Sequence, residues 1–171
     1  CTDIVTIDDW SNMLKLFKDN GLGSTSVMTV FDCAENRIMA AWNICNSWFQ
    51  VDGTLHYGLA EDSCKDYLHL MHDWYEAGYL GSDFLSRTGW GALMDPAKYN
   101  GGYGVFIGGH NDCIGFYTMT DDPNAEVRGL THPVLEEGQT QKINHLMNGG
   151  VGISGTNIST TCEHPEELCA W

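Results

Sequence analysis

One stretch, from Trp48 to Phe84, constrains the fold more than any other. Apolar residues at Cys64, Tyr67, Leu68, Met71, Trp74 and Tyr75 recur at the i, i+3, i+4, i+7 spacing of one helix face. This predicts an amphipathic helix from Glu61 to about Ala77, stopped by Gly78. Directly upstream, Trp48-Phe49-Gln50-Val51 and Thr54-Leu55-His56-Tyr57 flank Asp52-Gly53, the signature of two short strands around a tight turn.

The remaining elements alternate in kind. Thr6-x-x-Asp9 reads as a capping box with Asp in the Glu position. Trp10, Met13, Leu14 and Phe17 form the stripe of the helix it opens, and Gly21 ends it. Ser26 to Phe31 reads as a buried strand and Ala34 to about Asn43 as a second helix. Phe84 to Asn100 is irregular, with a turn at Gly91 to Pro96. Tyr103 to Ile107 reads as a short strand, and a helix carrying Ile114, Phe116 and Tyr117 starts after Gly108-Gly109. Asp121-Asp122-Pro123-Asn124 is a turn; Val127 to Leu135 is a strand or an extended arm; Gly149 to Ser154 is a last glycine-rich strand. Pro165 suits the first turn of a helix near the end of the chain. Helices alternating with short strands give an α/β class with helices around a small mixed sheet, and 171 residues suit a single domain over 1–171.

Composition limits the partners. Eight basic residues against 23 acidic ones leave a formal charge of −15, which repels nucleic acid and anionic lipid. Hydrophobic content of 43% is enough for a core. No run reaches the length of a membrane span. The seven cysteines are scattered, with no Cys-x-x-Cys pair for a zinc ribbon. Cys64 falls on the helix stripe as a small core residue; disulfides, if formed, would draw on Cys33, Cys45 and Cys113, or join Cys162 to Cys169.

Five stretches, in order, carry a family resemblance. They are Thr6-Ile7-Asp8-Asp9-Trp10, Val51-Asp52-Gly53-Thr54-Leu55-x-Tyr57-Gly58, Lys65 to Phe84, Asn100-Gly101-Gly102-Tyr103-Gly104-Val105, and Gly149-Gly150-Val151-Gly152-Ile153-Ser154 followed by His164-Pro165-Glu166-Glu167. Together the chain resembles the second, C-terminal lobe of extracellular solute-binding proteins of ABC importers, in the carbohydrate-type family. The resemblance implies one lobe of a type II periplasmic-binding-protein-like clamp, truncated at both ends, that closes on its solute by a hinge motion. It implies a monomer with no enzyme activity and no cofactor. It also implies a small-molecule solute, an oligosaccharide, as ligand and the transporter permease as partner. The full-length protein would then be an extracellular, cell-surface lipoprotein, or periplasmic. The number of cysteines departs from the family.

A sugar clamp needs flat aromatic faces for the pyranose ring and carboxylates or amides for its hydroxyls. Asp32 after the first strand, and His110, Asn111 and Asp112 at a helix start, are the polar candidates; Trp48 and Trp90 are the aromatic ones. Each has a plainer reading: helix capping for the aspartates, packing for the tryptophans. An enzyme built on His110, Asp112 and Cys113, or a metal face made by His69 and His72, is the competing class, and a cell-surface interaction domain is a third. Neither a phosphate-binding loop nor Gly-x-Ser-x-Gly is present.

Overall fold

Thr6 and Asp9 open the first helix in the reciprocal way their spacing predicts. The Thr6 hydroxyl accepts from Asp9 N at 3.2 Å, and Asp9 Oδ2 accepts from Thr6 N at 2.8 Å. The helix α1 runs Ile7–Asp19, and Trp10, Met13 and Leu14 on its inner face are buried. This is seen in a computed structural model, which describes residues 4–23, 26–28, 34–82, 96–106, 110–141 and 158–170.

After α1 the chain enters β1 (Ser26–Met28), which pairs in parallel with β4 (Tyr103–Val105), Met28 lying opposite Val105. The other side of Met28 makes an isolated parallel bridge with Leu80, and Met28 N donates to Tyr79 O at 2.9 Å. Between these parallel partners lie the crossovers that parallel pairing requires. The helix α2 (Ala34–Met39) passes into a 3₁₀ turn at Ala40–Trp42, closed by Asn43 in the left-handed region at φ 55°. Strands β2 (Trp48–Val51) and β3 (Thr54–Tyr57) form the antiparallel hairpin. Asp52 and Gly53 both take positive φ, 49° and 84°, as a type I′ turn demands.

Helix α3 (Ser63–Glu76) falls inside the predicted 61–77, and Gly78 follows at φ 71°. Its buried seam is narrower than the sequence stripe. Cys64, Tyr67 and Trp74 are buried, whereas Leu68 is 58% exposed and Tyr75 40%. The helix meets its neighbours along one line only, so residues at the edges of the apolar arc face water. Beyond β4 come α4 (His110–Met119) and α5 (Pro165–Ala170). The stretch expected as a strand or extended arm after Val127 is an extended arm, bridged to the start of α1 at Val134. Ile7 N donates to Val134 O at 2.9 Å, and Val134 N donates to Val5 O at 3.0 Å. Gln139 ties the arm to the 3₁₀ turn, its Nε2 donating to Ala41 O at 2.7 Å.

The class is therefore mixed α/β, with helices around two short two-stranded sheets among the described residues. Its core joins α1, β1, α2 and α3 through residues such as Leu14, Met28, Ile38 and Trp74. Cys45, Cys64, Cys113 and Cys162 are free thiols, which removes any bridge among Cys33, Cys45 and Cys113 and the one between Cys162 and Cys169. Residues 29–33 and 107, expected to extend β1 and β4, and the glycine-rich strand at 149–154 lie outside the described residues.

The Asp9 carboxylate is held below the ordinary carboxylate range, first by the backbone N–H of Thr6, then by the Thr6 hydroxyl and the Val5 backbone. A depressed folded-state value means that this cap stabilises the fold above the unfolded value and is lost as pH falls through the folded one. Thr6→Ala removes the cap and is expected to cost about 1 kcal/mol in urea unfolding at pH 7. In an NMR titration the same variant is expected to move the Asp9 carboxyl back up towards its ordinary value.

Candidate functional site

The inner face of α1 does not stop at the core; it continues into the wall of a cleft. Trp10, Met13 and Phe17 follow one another down that face. Strand β4 lies against the same helix because Gly104 has no side chain. A Cβ there would sit 2.9 Å from Cδ2 of Phe17 and 3.2 Å from Val27 O. Tyr103 and Val105 flank that glycine and share a face of the strand. Phe106 continues from β4, and α4 closes the far side with Phe116.

The result is a cleft of about 910 Å³ walled by Trp10, Phe17, Tyr99, Tyr103, Phe106 and Phe116. Its outer rim is polar and comes mostly from the arm after α4: Asn100, Asp121, Asp122, Glu126 and Arg128. The arm is placed over the cleft by Asp121 N, which donates to Asn100 Oδ1 at 3.0 Å. The turn that starts it is the predicted one, with Asn124 N donating to Asp122 Oδ1 at 2.8 Å. Arg128 grips Glu126 through two bonds, at 3.0 and 3.2 Å.

Beneath the rim lies a buried ion pair. Lys98 is only 1% exposed, and its Nζ donates to Asp112 Oδ1 at 3.1 Å. The same ammonium lies 5.9 Å from the centre of the Phe106 ring, within cation–π range. Tyr99 beside the pair has its phenol pushed above the ordinary value, chiefly by burial and then by the Asp112 carboxylate. The pair links the 3₁₀ turn at Pro96–Lys98 to the first turn of α4, and so fixes two sides of the cleft relative to each other.

Two buried tryptophans on this side of the molecule differ in one respect. Trp74 Nε1 donates to Ser11 Oγ at 3.0 Å. Trp10, 5% exposed, has its Nε1–H buried with no acceptor among the described residues. A buried donor left unmatched costs roughly 1–3 kcal/mol, and this one belongs to a cleft-lining residue.

The expected site residues are distributed unevenly. Asp112 lies at the cleft, held by Lys98, though it is Lys98 that lines the cavity. His110 and Asn111 open α4 beside it, and their side chains are outside the described set. Trp48 is elsewhere: it is 63% exposed on the hairpin, 5.0 Å from the ring of Tyr57, and does not line the cleft. Asp32 and Trp90 lie outside the described residues. Lys98 and the aromatic walls went unread as site residues. Their spacing matched core stripes and an irregular turn, and no sequence signal separates a core aromatic from a wall aromatic. His69 and His72 are exposed on α3, and among the described residues no three His, Cys, Asp or Glu side chains converge. No helix among the described residues is long and apolar enough to cross a membrane. No family model, curated protein or solved structure matches the chain.

Asp112→Asn is expected to lower unfolding stability by about 3 kcal/mol, because it leaves the Lys98 ammonium buried beside a neutral amide. The double variant Lys98→Met, Asp112→Leu is expected to recover most of that loss in denaturant melts.

Proposed function

We propose that the chain is the C-terminal lobe of an extracellular solute-binding protein of the carbohydrate-type family, built as one half of a type II periplasmic-binding-protein-like clamp. It binds a small solute, a carbohydrate, and hands it to the permease of an ABC importer. It works by hydrogen bonding and ring stacking without making or breaking bonds. Its place is outside the cell, on a surface lipoprotein or in a periplasm.

The observation that carries this reading is the aromatic-walled cleft with its polar rim. A sugar presents an apolar ring face and a circle of hydroxyls, and aromatic walls with amide and carboxylate groups at the mouth match both. The volume falls in the range of small-ligand sites. A wall assembled from α1, β4, α4 and the arm would be one jaw of a clamp, with an opposing lobe supplying the other. The order of the five family-like stretches along the sequence supports the same reading.

A ligand at 100 times its dissociation constant stabilises a binding protein by about 2.7 kcal/mol. For a chain of this size that raises the melting temperature by about 5–10 °C. We expect such a shift with one class of mono- or oligosaccharide in a thermal screen, confirmed by calorimetry, and weakened about tenfold by Phe106→Ala. Catalytic turnover of any saccharide, or the absence of a shift across saccharides and other polar solutes, would reject the reading.

A further inference from the structure

The cations that line the cleft are all engaged, and two of its carboxylates are not. Lys98 pairs with Asp112, and Arg128 holds Glu126 through two bonds. Arg37 has an interaction of its own. Asp121 and Asp122 also line the cavity, exposed and adjacent in the chain. Asp122 Oδ1 accepts from the backbone of Asn124 at 2.8 Å, which leaves its charge in place. Among the described residues no cation pairs with either carboxylate. The formal charge of −15 adds a field that draws cations towards the clefts of the molecule.

The wall behind these carboxylates suits a cation as well. A positive group is attracted to the face of an aromatic ring, and Tyr99, Tyr103, Phe106 and Phe116 line the cavity. One such contact is already made inside the protein, where the Lys98 ammonium lies 5.9 Å from the centre of the Phe106 ring. Trp10 gives the ligand a direction. It lines the cavity, is 5% exposed, and has no acceptor for its N–H among the described residues. An unmatched buried donor calls for an oxygen, and it repels an ammonium. The inner wall therefore suits a hydroxyl, and the mouth suits a positive charge.

We infer that the solute is an amino sugar, with its ammonium at the mouth beside Asp121 and Asp122 and its hydroxyls towards Trp10. This rests on the solute-binding reading above and adds the charge and orientation of the ligand. Neighbouring carboxylates repel each other, so a cation beside both relieves that repulsion as well as gaining its own attraction. The charge is what the site would read: acetylation of the sugar nitrogen keeps the ring and removes the cation.

The test is calorimetry of the full chain, at a pH that keeps the amine protonated, with D-glucosamine and its dimer, N-acetyl-D-glucosamine, D-glucose, and choline as a cation without a sugar. The expected result at low ionic strength is binding of a glucosamine ligand about tenfold tighter than either neutral sugar. Added salt is expected to narrow that preference, because the carboxylates are exposed. The double variant Asp121→Asn, Asp122→Asn is expected to cut the preference to about twofold or less. Its melting temperature should stay close to the original, since both side chains are exposed and an amide oxygen still accepts from Asn124. Equal binding of glucosamine and the neutral sugars would overturn this inference and leave the solute-binding reading in place. A preference that survives in the double variant would overturn it too, because the charge would then be read elsewhere. Binding of choline without glucosamine would overturn the amino sugar and put an organic cation in its place. Binding of none of the ligands would overturn this inference, while the wider saccharide screen decides the solute-binding reading separately.

Discussion

The packing of α1 against its surroundings is the contact on which the other described elements depend. Leu14 lies fully buried at the centre, with Trp10 and Met13 beside it. Ser11 on the same helix accepts from Trp74 of α3, 63 residues away in sequence. The Lys18 ammonium bonds to Ala77 O at the end of α3, where a cation also favours the negative pole of the helix dipole. Ile7 holds the arm through Val134, and Phe17 rests on β4 at Gly104. One helix thus sets the positions of a second helix, a strand and the arm. A cap at Thr6 that starts this helix at the right residue sets the register of every one of those contacts.

The same economy explains the nature of the cleft. Its wall is the continuation of the core along α1 and β4 rather than a separate set of polar residues. Aromatic side chains mostly buried by packing present an edge or a face to the cavity, and so they arrive already ordered. Rigid walls lower the entropy cost of holding a ligand. The rim, by contrast, hangs on an arm fixed by a few long-range bonds, such as Asp121 to Asn100 and Gln139 to Ala41. The start of the arm, Asp121 to Asn124, is exposed, which is the local property expected of a segment that adjusts on binding.

What was legible in the sequence follows from how local each cause is. The capping box at Thr6 and Asp9, the Asp52-Gly53 turn and the helix ending at Gly78 are each decided within a few residues, and each forms where its spacing predicts. The stripe on α3 was legible as a helix but not in width. Whether Leu68 or Tyr75 finds a partner depends on residues far away in the chain. The cleft was the least legible part. Phe17 and Trp10 read as core, which they also are, while Trp48 reads as a site aromatic and lies on the exposed hairpin face. Lys98 gave no signal, because the residue that neutralises it is 14 positions away across a strand. Asp112 stood out only for its place at a helix start. Its bond to Lys98 makes it a strut of the cleft as well as a candidate for the ligand.

This double role limits how the cleft can change. A carboxylate that holds a buried lysine is not free to turn towards a ligand without leaving that charge unmatched, at a cost of several kcal/mol. The polar adaptability of the site therefore belongs to the rim, where Asp121 and Asp122 are exposed and a rearrangement strands no buried charge. Under the proposed solute-binding reading the cavity divides by depth: its shape is set below by the packing of α1 on β4, and polar contacts come from the exposed arm. The Lys98–Asp112 bridge fixes two walls of the cleft, so under the proposed reading recognition falls to groups that the bridge does not involve.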